Sequence, residues 1–286
     1  MRIKDKTIYL WFIPPITFVV IIYLLPLWRI IYSCFTRTIA GQTLFVGWDN
    51  FIGVADELPR LISTTMIWTI GSILPAMLLG FTAALVFQRD FRGKKLMMSC
   101  TVLPYTIPLV IVASVWMMMY QPNFGLLNVL LVKLGIFNKG ISFLSYDKAL
   151  TSVIVARVWR AMPYAFISYY AAIRSIPLEY YEAAAVDGAN AVQKLFFITI
   201  PQVASVTLTT LIISTVWTFL VFDIIYTMTG GGPVDATNII AVQIYKYSIL
   251  KNDTESAAVL SLVSILILLA ITEIYWKIFN RGGETK

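Results

Sequence analysis

Histidine is absent from the 286 residues, and cysteine occurs only as Cys34 and Cys100. Without imidazole, His-based acid/base catalysis, haem ligation by histidine and Cys/His zinc sites are disfavoured. Two cysteines do not make a disulfide framework, and these two fall near opposite ends of different apolar stretches, too far apart to bond. Both read as small buried apolar groups. Charge is scarce as well, at 13% of residues against about 25% in a soluble domain. No G-x-x-x-x-G-K-[ST] loop is present to cradle a nucleotide phosphate. Together these absences disfavour a conventional enzyme.

What is present is apolar: 59% of the chain is hydrophobic. A spanning helix needs about 20 predominantly apolar residues, and six stretches qualify, at 8–31, 62–87, 97–120, 149–173, 203–228 and 256–279. The first is longer than a signal-peptide core and has no small-residue cleavage site, so it reads as an uncleaved span. No low-complexity tract, strong repeat or linker interrupts the chain. The expectation is an all-α integral membrane protein, one transmembrane domain over residues 1–286.

Six spans put both termini on one side, and the distribution of basic residues selects that side. Alternate segments hold Arg2, Lys4, Lys6, Arg89, Arg92, Lys94, Lys95, Arg174, Lys194, Lys277, Arg281 and Lys286 against six acids, a net +6; the opposite segments total +1. Arg157, Arg160, Asp223 and Glu273 lie deeper within spans and cancel, with Arg29 and Lys277, at span ends, counted with the flanking segments. The formal +7 is thus mostly topology, placing both termini in the cytoplasm with no need for nucleic acid.

The segment between the fourth and fifth spans is unusually organised for a loop. Pro177 suits a first helical turn, and Glu179 and Glu182 favour its positive end. Ala183, Ala184 and Ala185 are strong helix formers, and Gly188 is placed to end the helix. Asn190 can cap a second helix, and Pro201 sets the entry to the fifth span. On chain physics alone this is an amphipathic connector resting on headgroups.

The spacing within it is more specific. Glu182-Ala183-Ala184, three residues, Gly188, nine residues, Ile198, one residue, then Ile200-Pro201 resembles the cytoplasmic EAA loop of ABC-importer permeases, with Ile200 where the pattern has Leu. Further segments resemble the oligosaccharide-type branch of that family: Gly47-Trp48-Asp49-Asn50-Phe51, Leu103-Pro104 with Pro108 and Trp116, and Pro122 through Asn128. Trp159-Arg160 with Pro163-Tyr164, Phe222 through Tyr226, and Thr229 through Pro233 complete the set. The glycine-rich turn at 230–232 is like that of the first permease of such pairs.

The resemblance implies a type I importer permease fold and a bacterial cytoplasmic-membrane location. It implies a second homologous permease, two cytoplasmic ATPase subunits that bind ATP and Mg, and an extracytoplasmic solute-binding protein. This chain itself would carry no cofactor and no metal. Alternating access would pass an oligosaccharide between the two permeases. Glu182, Ala183, Ala184, Asp187, Gly188, Ile198 and Pro201 are the implied ATPase-coupling residues: the glutamate fixes the docking helix and the glycine permits its turn.

Ionisable groups at mid-span cost about 2.5–3.5 kcal/mol on insertion scales, so they face a cavity or a partner. Arg157, Arg160 and Tyr164 share one helical face. Pro163 lacks an N–H and can leave a carbonyl free for a ligand. The family geometry adds Ala161, Ser214, Trp217 and Thr218 as substrate-binding candidates, Trp217 as a flat apolar face and the two hydroxyls four apart. Arg157 and Arg160 either face substrate, or lie near the outer side or pair with Asp223 to hold two spans together. An unpaired Arg157 favours an acidic, uronate-containing oligosaccharide over a neutral one. A glycerol-phosphate-type importer shares most of these motifs. An ion-coupled secondary transporter would want buried carboxylates along a pathway and inverted repeats, and the spans offer only Asp223 and Glu273.

Overall fold

The computed structural model describes residues 7–39 and 41–283, and helices make up 75% of these described residues. Arg2, Lys4, Lys6 and Lys286 of the basic count lie outside the described residues. The chain runs through α1 (Thr7–Val19), a π-helical turn and α2 (Leu25–Cys34) into a hairpin of β1 (Thr36–Ile39) and β2 (Gln42–Phe45). That hairpin, with Thr36 opposite Phe45, is the single departure from helix-only architecture among the described residues. Then come α3 (Asp49–Ala55), α4 (Leu58–Val86), α5 (Lys94–Thr106), α6 (Leu109–Met119), α7 (Leu126–Lys133) and α8 (Ala149–Arg174). Short helices α9 (Leu178–Val186), α10 (Ala191–Lys194) and α11 (Ile200–Gln202) lead to α12 (Ala204–Leu220), α13 (Asp223–Thr229), α14 (Ile240–Tyr245) and α15 (Thr254–Gly283).

Among the described residues, three helical stretches are long and apolar enough to cross a membrane by themselves: Trp11–Cys34, Leu58–Val86 and Thr254–Phe279. Counting two bent pairs as one span each gives five, where the sequence led us to expect six. The expected fourth span is a continuous 26-residue helix, α8, but Arg157, Arg160 and its hydroxyl-bearing residues leave it outside that group. The expected third span is not one rod, because α5 and α6 meet at 104°. Its cause is local: Ile107 precedes Pro108, whose ring disfavours the helical region for the residue before it, and Ile107 is extended at φ −82°, ψ 133°. The expected fifth span also breaks, between α12 and α13, with Val221 extended at φ −72°, ψ 125°.

The described chain forms two compact units, Met1–Pro59 with Gln243–Leu269 and Arg60–Val242 with Ala270–Lys286. In the first, buried Asn50 fixes the hairpin. Its amide donates to the carbonyls of Cys34 at 3.1 Å and Thr36 at 2.9 Å, and its Oδ1 accepts from Arg37 at 2.9 Å. Phe35, Trp48 and Phe51 pack with centroids 4.8–5.4 Å apart. The Glu57 carboxylate accepts from Gln243 at 2.9 Å and Tyr247 at 2.7 Å; burial first, then that carboxylate, push the Tyr247 phenol up to about 12.

In the second unit, α4 and α8 approach closely at Gly80, where a Cβ would lie 2.7 Å from the Ala165 Cβ and the Phe166 N. Small residues permit such contact, which in lipid substitutes for a hydrophobic drive between helices. Phe87, Phe166, Tyr169 and Ile173 form a core toward one end of these helices, and Trp68, Trp116, Val153 and Ile225 belong to a second. The Gly125–Asn128 turn has a geometric reason: a Cβ on Gly125 would sit 2.4 Å from the Met119 and Gln121 carbonyls. Buried Asn128 donates to the carbonyls of Tyr120, Gln121 and Ile141 and accepts from the Ile141 N–H at 2.8 Å. The turn after α13 is held by Thr237, which donates to the Gly232 carbonyl at 2.8 Å. Cys34 is buried as expected, but Cys100 is exposed on α5, and both thiols are free.

Candidate functional site

A cavity of about 320 Å³ opens between α4, α5, α6, α8 and α12 in the second unit. Arg157, Arg160, Ala161, Tyr164, Ser214, Trp217 and Thr218 all line it. Helical spacing puts Arg157, Arg160, Ala161 and Tyr164 on one face of α8, and Ser214, Trp217 and Thr218 on one face of α12. Ile73, Ala76 and Met77 of α4 add an apolar wall.

Arg157 is 8% exposed, and its Nη2 donates to the Thr218 hydroxyl at 3.0 Å. Its Nε is buried without a protein partner. Arg157 forms no ion pair with Asp223, so that alternative is not realised here. Thr218 is itself held from α4, because the Trp68 indole N–H donates to its carbonyl at 2.9 Å. That carbonyl lies in the last turn of α12, where helix carbonyls lack intrahelical donors.

Arg160 is engaged differently. Its Nε donates to the Ile107 carbonyl at 3.1 Å, at the bend between α5 and α6, and its guanidinium lies 4.4 Å over the Tyr105 ring. Tyr105 continues a row of aromatic faces: Tyr105 and Tyr164 stack with centroids 6.1 Å apart at 22°, and Tyr164 meets Trp217 at 5.3 Å. The cavity thus holds two guanidinium groups, three aromatic rings and two hydroxyl side chains besides the tyrosines, with no carboxylate in its lining. Such a set can hydrogen-bond hydroxyls and oxyanions and stack against flat apolar faces.

The sequence did not single out Trp68, Tyr105 or the Ile107 carbonyl. The carbonyl had a signal, since Ile107-Pro108 is an X-Pro step inside an apolar run. Tyr105 and Trp68 had none, because their roles depend on which helices meet.

The loop residues gather only in part. Ala184, Asp187, Gly188 and Ile198 line a shallow depression with Gln193 and Phe197, while Glu182, Ala183 and Pro201 lie outside its lining. Glu182, Ala183 and Ala184 are in α9; Pro177 precedes the helix as its cap residue, with Leu178 first, rather than sitting in the first turn. Gly188 has φ +79°, and the end of α9 is closed by the Ala189 N–H to Ala184 carbonyl bond at 2.8 Å and the Gly188 to Ala185 bond at 3.1 Å. This is the Schellman pairing that favours glycine at that position. Asn190 caps α10 reciprocally with Gln193, at 2.8 and 2.9 Å. The second helix continues as a π-helical turn over Leu195–Thr199, and Pro201 lies in α11. Val186 at 88% and Phe197 at 79% exposure leave an apolar surface uncovered on this loop.

The long apolar helices define a membrane protein with a cavity among them. Residues 76–282 match the family described as binding-protein-dependent transport system inner membrane component, and the chain belongs to it. The trehalose/maltose transport system permease protein MalF of Thermococcus litoralis is 30% identical over 280 residues, covering 96% of this chain and 94% of that protein. The sn-glycerol-3-phosphate transport system permease protein UgpA of Yersinia pestis is 32% identical over 286 residues, covering 96% and 94%. Among solved structures, a bacterial ABC transporter involved in import of the acidic polysaccharide alginate contains a chain of the same fold, with TM-score 0.84 at 23% identity, covering 97% of this chain and 96% of that one. The protein is thus a multi-pass transport subunit of the type I permease fold, with ATP hydrolysis on separate subunits.

Proposed function

We propose that this chain is the first permease of a heterodimeric importer that passes an acidic, uronate-containing oligosaccharide from a solute-binding protein into the cytoplasm. The carrying observation is the cavity itself, with Arg157 and Arg160 and no acid in its lining. A neutral sugar needs no cation at that depth, whereas a carboxylate offsets the desolvation of a buried guanidinium. The rings of Tyr105, Tyr164 and Trp217 supply faces for pyranose rings, and the hydroxyls of Ser214 and Thr218 supply hydrogen bonds. The exposed loop helix α9 docks on one of two cytoplasmic ATPases, which hold the ATP and Mg; Glu182 orients it and Gly188 sets the turn. Docking covers the bare apolar side chains of the loop, and closure of the ATPases drives alternating access. Both termini lie in the cytoplasm.

A second reading, a permease for a glycerol-phosphate-type solute, shares the need for cations and is supported by the similarity to UgpA. The row of three rings favours the larger, ring-bearing substrate. The test is ATP-driven, vanadate-sensitive uptake by the complete transporter and its binding protein in proteoliposomes. Oligouronate, neutral malto-oligosaccharide and sn-glycerol 3-phosphate are compared for the wild type and Arg157→Gln. The expected result is oligouronate uptake reduced about 10- to 100-fold, roughly 1.4–2.8 kcal/mol, in the variant. Equal loss of charged and neutral substrates removes the charge-recognition argument, and wild-type transport of glycerol phosphate alone selects the second reading.

A further inference from the structure

A second cavity, of about 480 Å³, lies where the ends of α4 and α8 meet the start of α5 and the loop helix α9. Ligand pockets commonly measure about 300–1,000 Å³. Arg89, Lys94 and Arg174 line it with a single acid, Asp90, so its ionisable lining carries a net +2. The acid is already engaged: Lys94 Nζ binds Asp90 Oδ1 at 2.9 Å, and that ammonium holds the Asp90 carboxyl below its usual range. The Asp90 side chain is 97% exposed while that of Lys94 is 18% exposed, so the negative group sits at the rim.

The remaining cations are differently disposed. Arg174 donates to the Tyr170 hydroxyl at 3.1 Å and lies 5.7 Å over that ring, which orients its fork. Arg89 has no carboxylate partner among the described residues. Tyr181 and Thr199, whose hydroxyls are 2.9 Å apart, contribute further polar groups. Leu85, Ile173, Ile176 and Leu178 complete an apolar side. Guanidinium and ammonium groups above an apolar wall, at the end of membrane helices, match the chemistry of a phosphate attached to acyl chains.

We propose that this pocket binds the phosphate of an anionic phospholipid headgroup and thereby ties the ends of α4 and α8 to α9. A free phosphate offers the same oxyanion without the chains, and experiment separates the two sources. The proposal does not depend on the identity of the transported solute.

The complete transporter is placed in nanodiscs of phosphatidylcholine with or without phosphatidylglycerol, and lipid retained after detergent extraction is counted by native mass spectrometry. Wild type is expected to retain at least one more phosphatidylglycerol than Arg89→Gln/Arg174→Gln. The pair Arg92→Gln/Lys95→Gln removes the same charge from residues outside the lining and is expected to retain the lipid as wild type does. Equal loss in both pairs assigns the effect to general surface charge and overturns the site, as does equal retention in all three proteins. Folding of each variant is checked by its thermal unfolding midpoint, and Arg174→Lys provides a milder variant expected to show intermediate retention. Inorganic phosphate in phosphatidylcholine discs is expected not to shift the wild-type unfolding midpoint; a shift lost in the pocket variant assigns the site to soluble phosphate and overturns the lipid assignment.

Discussion

At the scale of single residues, the cavity depends on a side chain that never lines it. Trp68 donates to the Thr218 carbonyl, and Thr218 accepts from Arg157, so the position of the buried guanidinium is set from α4 through α12. Trp68→Phe keeps an aromatic ring but leaves a buried carbonyl unpaired, which costs about 1–3 kcal/mol. The expected outcome is a lower unfolding midpoint for the complex, together with a several-fold rise in the substrate concentration for half-maximal uptake. Thr218→Val separates the two effects, because it removes the hydroxyl that accepts from Arg157 and faces the substrate but leaves the backbone carbonyl that Trp68 holds. Uptake should fall while the Trp68 contact to the backbone remains. An unchanged half-maximal concentration in both variants would remove the positioning role of Trp68.

The same scale shows what could be read beforehand. Arg157, Arg160 and Tyr164 share a face by spacing alone, and an intramembrane arginine signals a cavity because of its insertion cost. Their convergence with Ser214, Trp217 and Thr218 rested on family resemblance, since no period within either stretch says that the two helices face each other. Spacing does not choose a partner for Arg157, and its Thr218 acceptor lies on another helix, 61 residues on. Tyr105 was illegible because its contact with Arg160 needs the bend that carries Ile107 past α8. Cys100 was misplaced for a related reason: polarity does not reveal which side of an apolar helix stays uncovered.

Among the elements, the loop between α8 and α12 was the most legible, because its signals are short-range. Gly188 after an alanine-rich run and Asn190 as a cap residue mark a helix end and a helix start through local backbone hydrogen bonds. The long apolar stretches were less so: hydropathy located them but did not show that proline breaks the third at Ile107 or that the fifth interrupts at Val221. Gly188→Ala tests the loop element. No heavy atom lies within 4 Å of the added Cβ, so its effect is the left-handed conformation alone, about 1–2 kcal/mol. Transport and substrate-stimulated ATP hydrolysis should drop several-fold in complexes that assemble normally and retain basal ATPase activity. Full coupling in Gly188→Ala and also in Gly188→Val would exclude the turn from force transmission.

The small-residue contact between α4 and α8 gives a contrasting case. Gly80→Leu places a branched side chain where even a Cβ meets the Ala165 Cβ and the Phe166 N at 2.7 Å, and overpacking of this kind costs about 1–3 kcal/mol or more. Its expected signature is loss of folded protein and a lower unfolding midpoint, with uptake per assembled complex falling in parallel. Wild-type yield and midpoint would show that the helices separate there without penalty.

For the whole molecule, orientation follows from charge that no single element carries. The turn after α4 and the first residues of α5 hold Arg89, Arg92, Lys94 and Lys95 against Asp90 alone, while the segments assigned to the opposite side nearly balance. If basic excess retains these segments in the cytoplasm, an exposed cysteine there reacts from one side of the membrane only. In a Cys34→Ala/Cys100→Ala background, Arg92→Cys should react with an impermeant maleimide in inverted vesicles and stay unlabelled in right-side-out ones. Lys139→Cys, in the segment between α7 and α8, should behave in the opposite way. Labelling of both positions from the same side would break the alternation of spans between them. Reversal of both would keep the alternation but place α9 on the outer face, where no cytoplasmic ATPase reaches it, and the proposed coupling would fail together with the orientation.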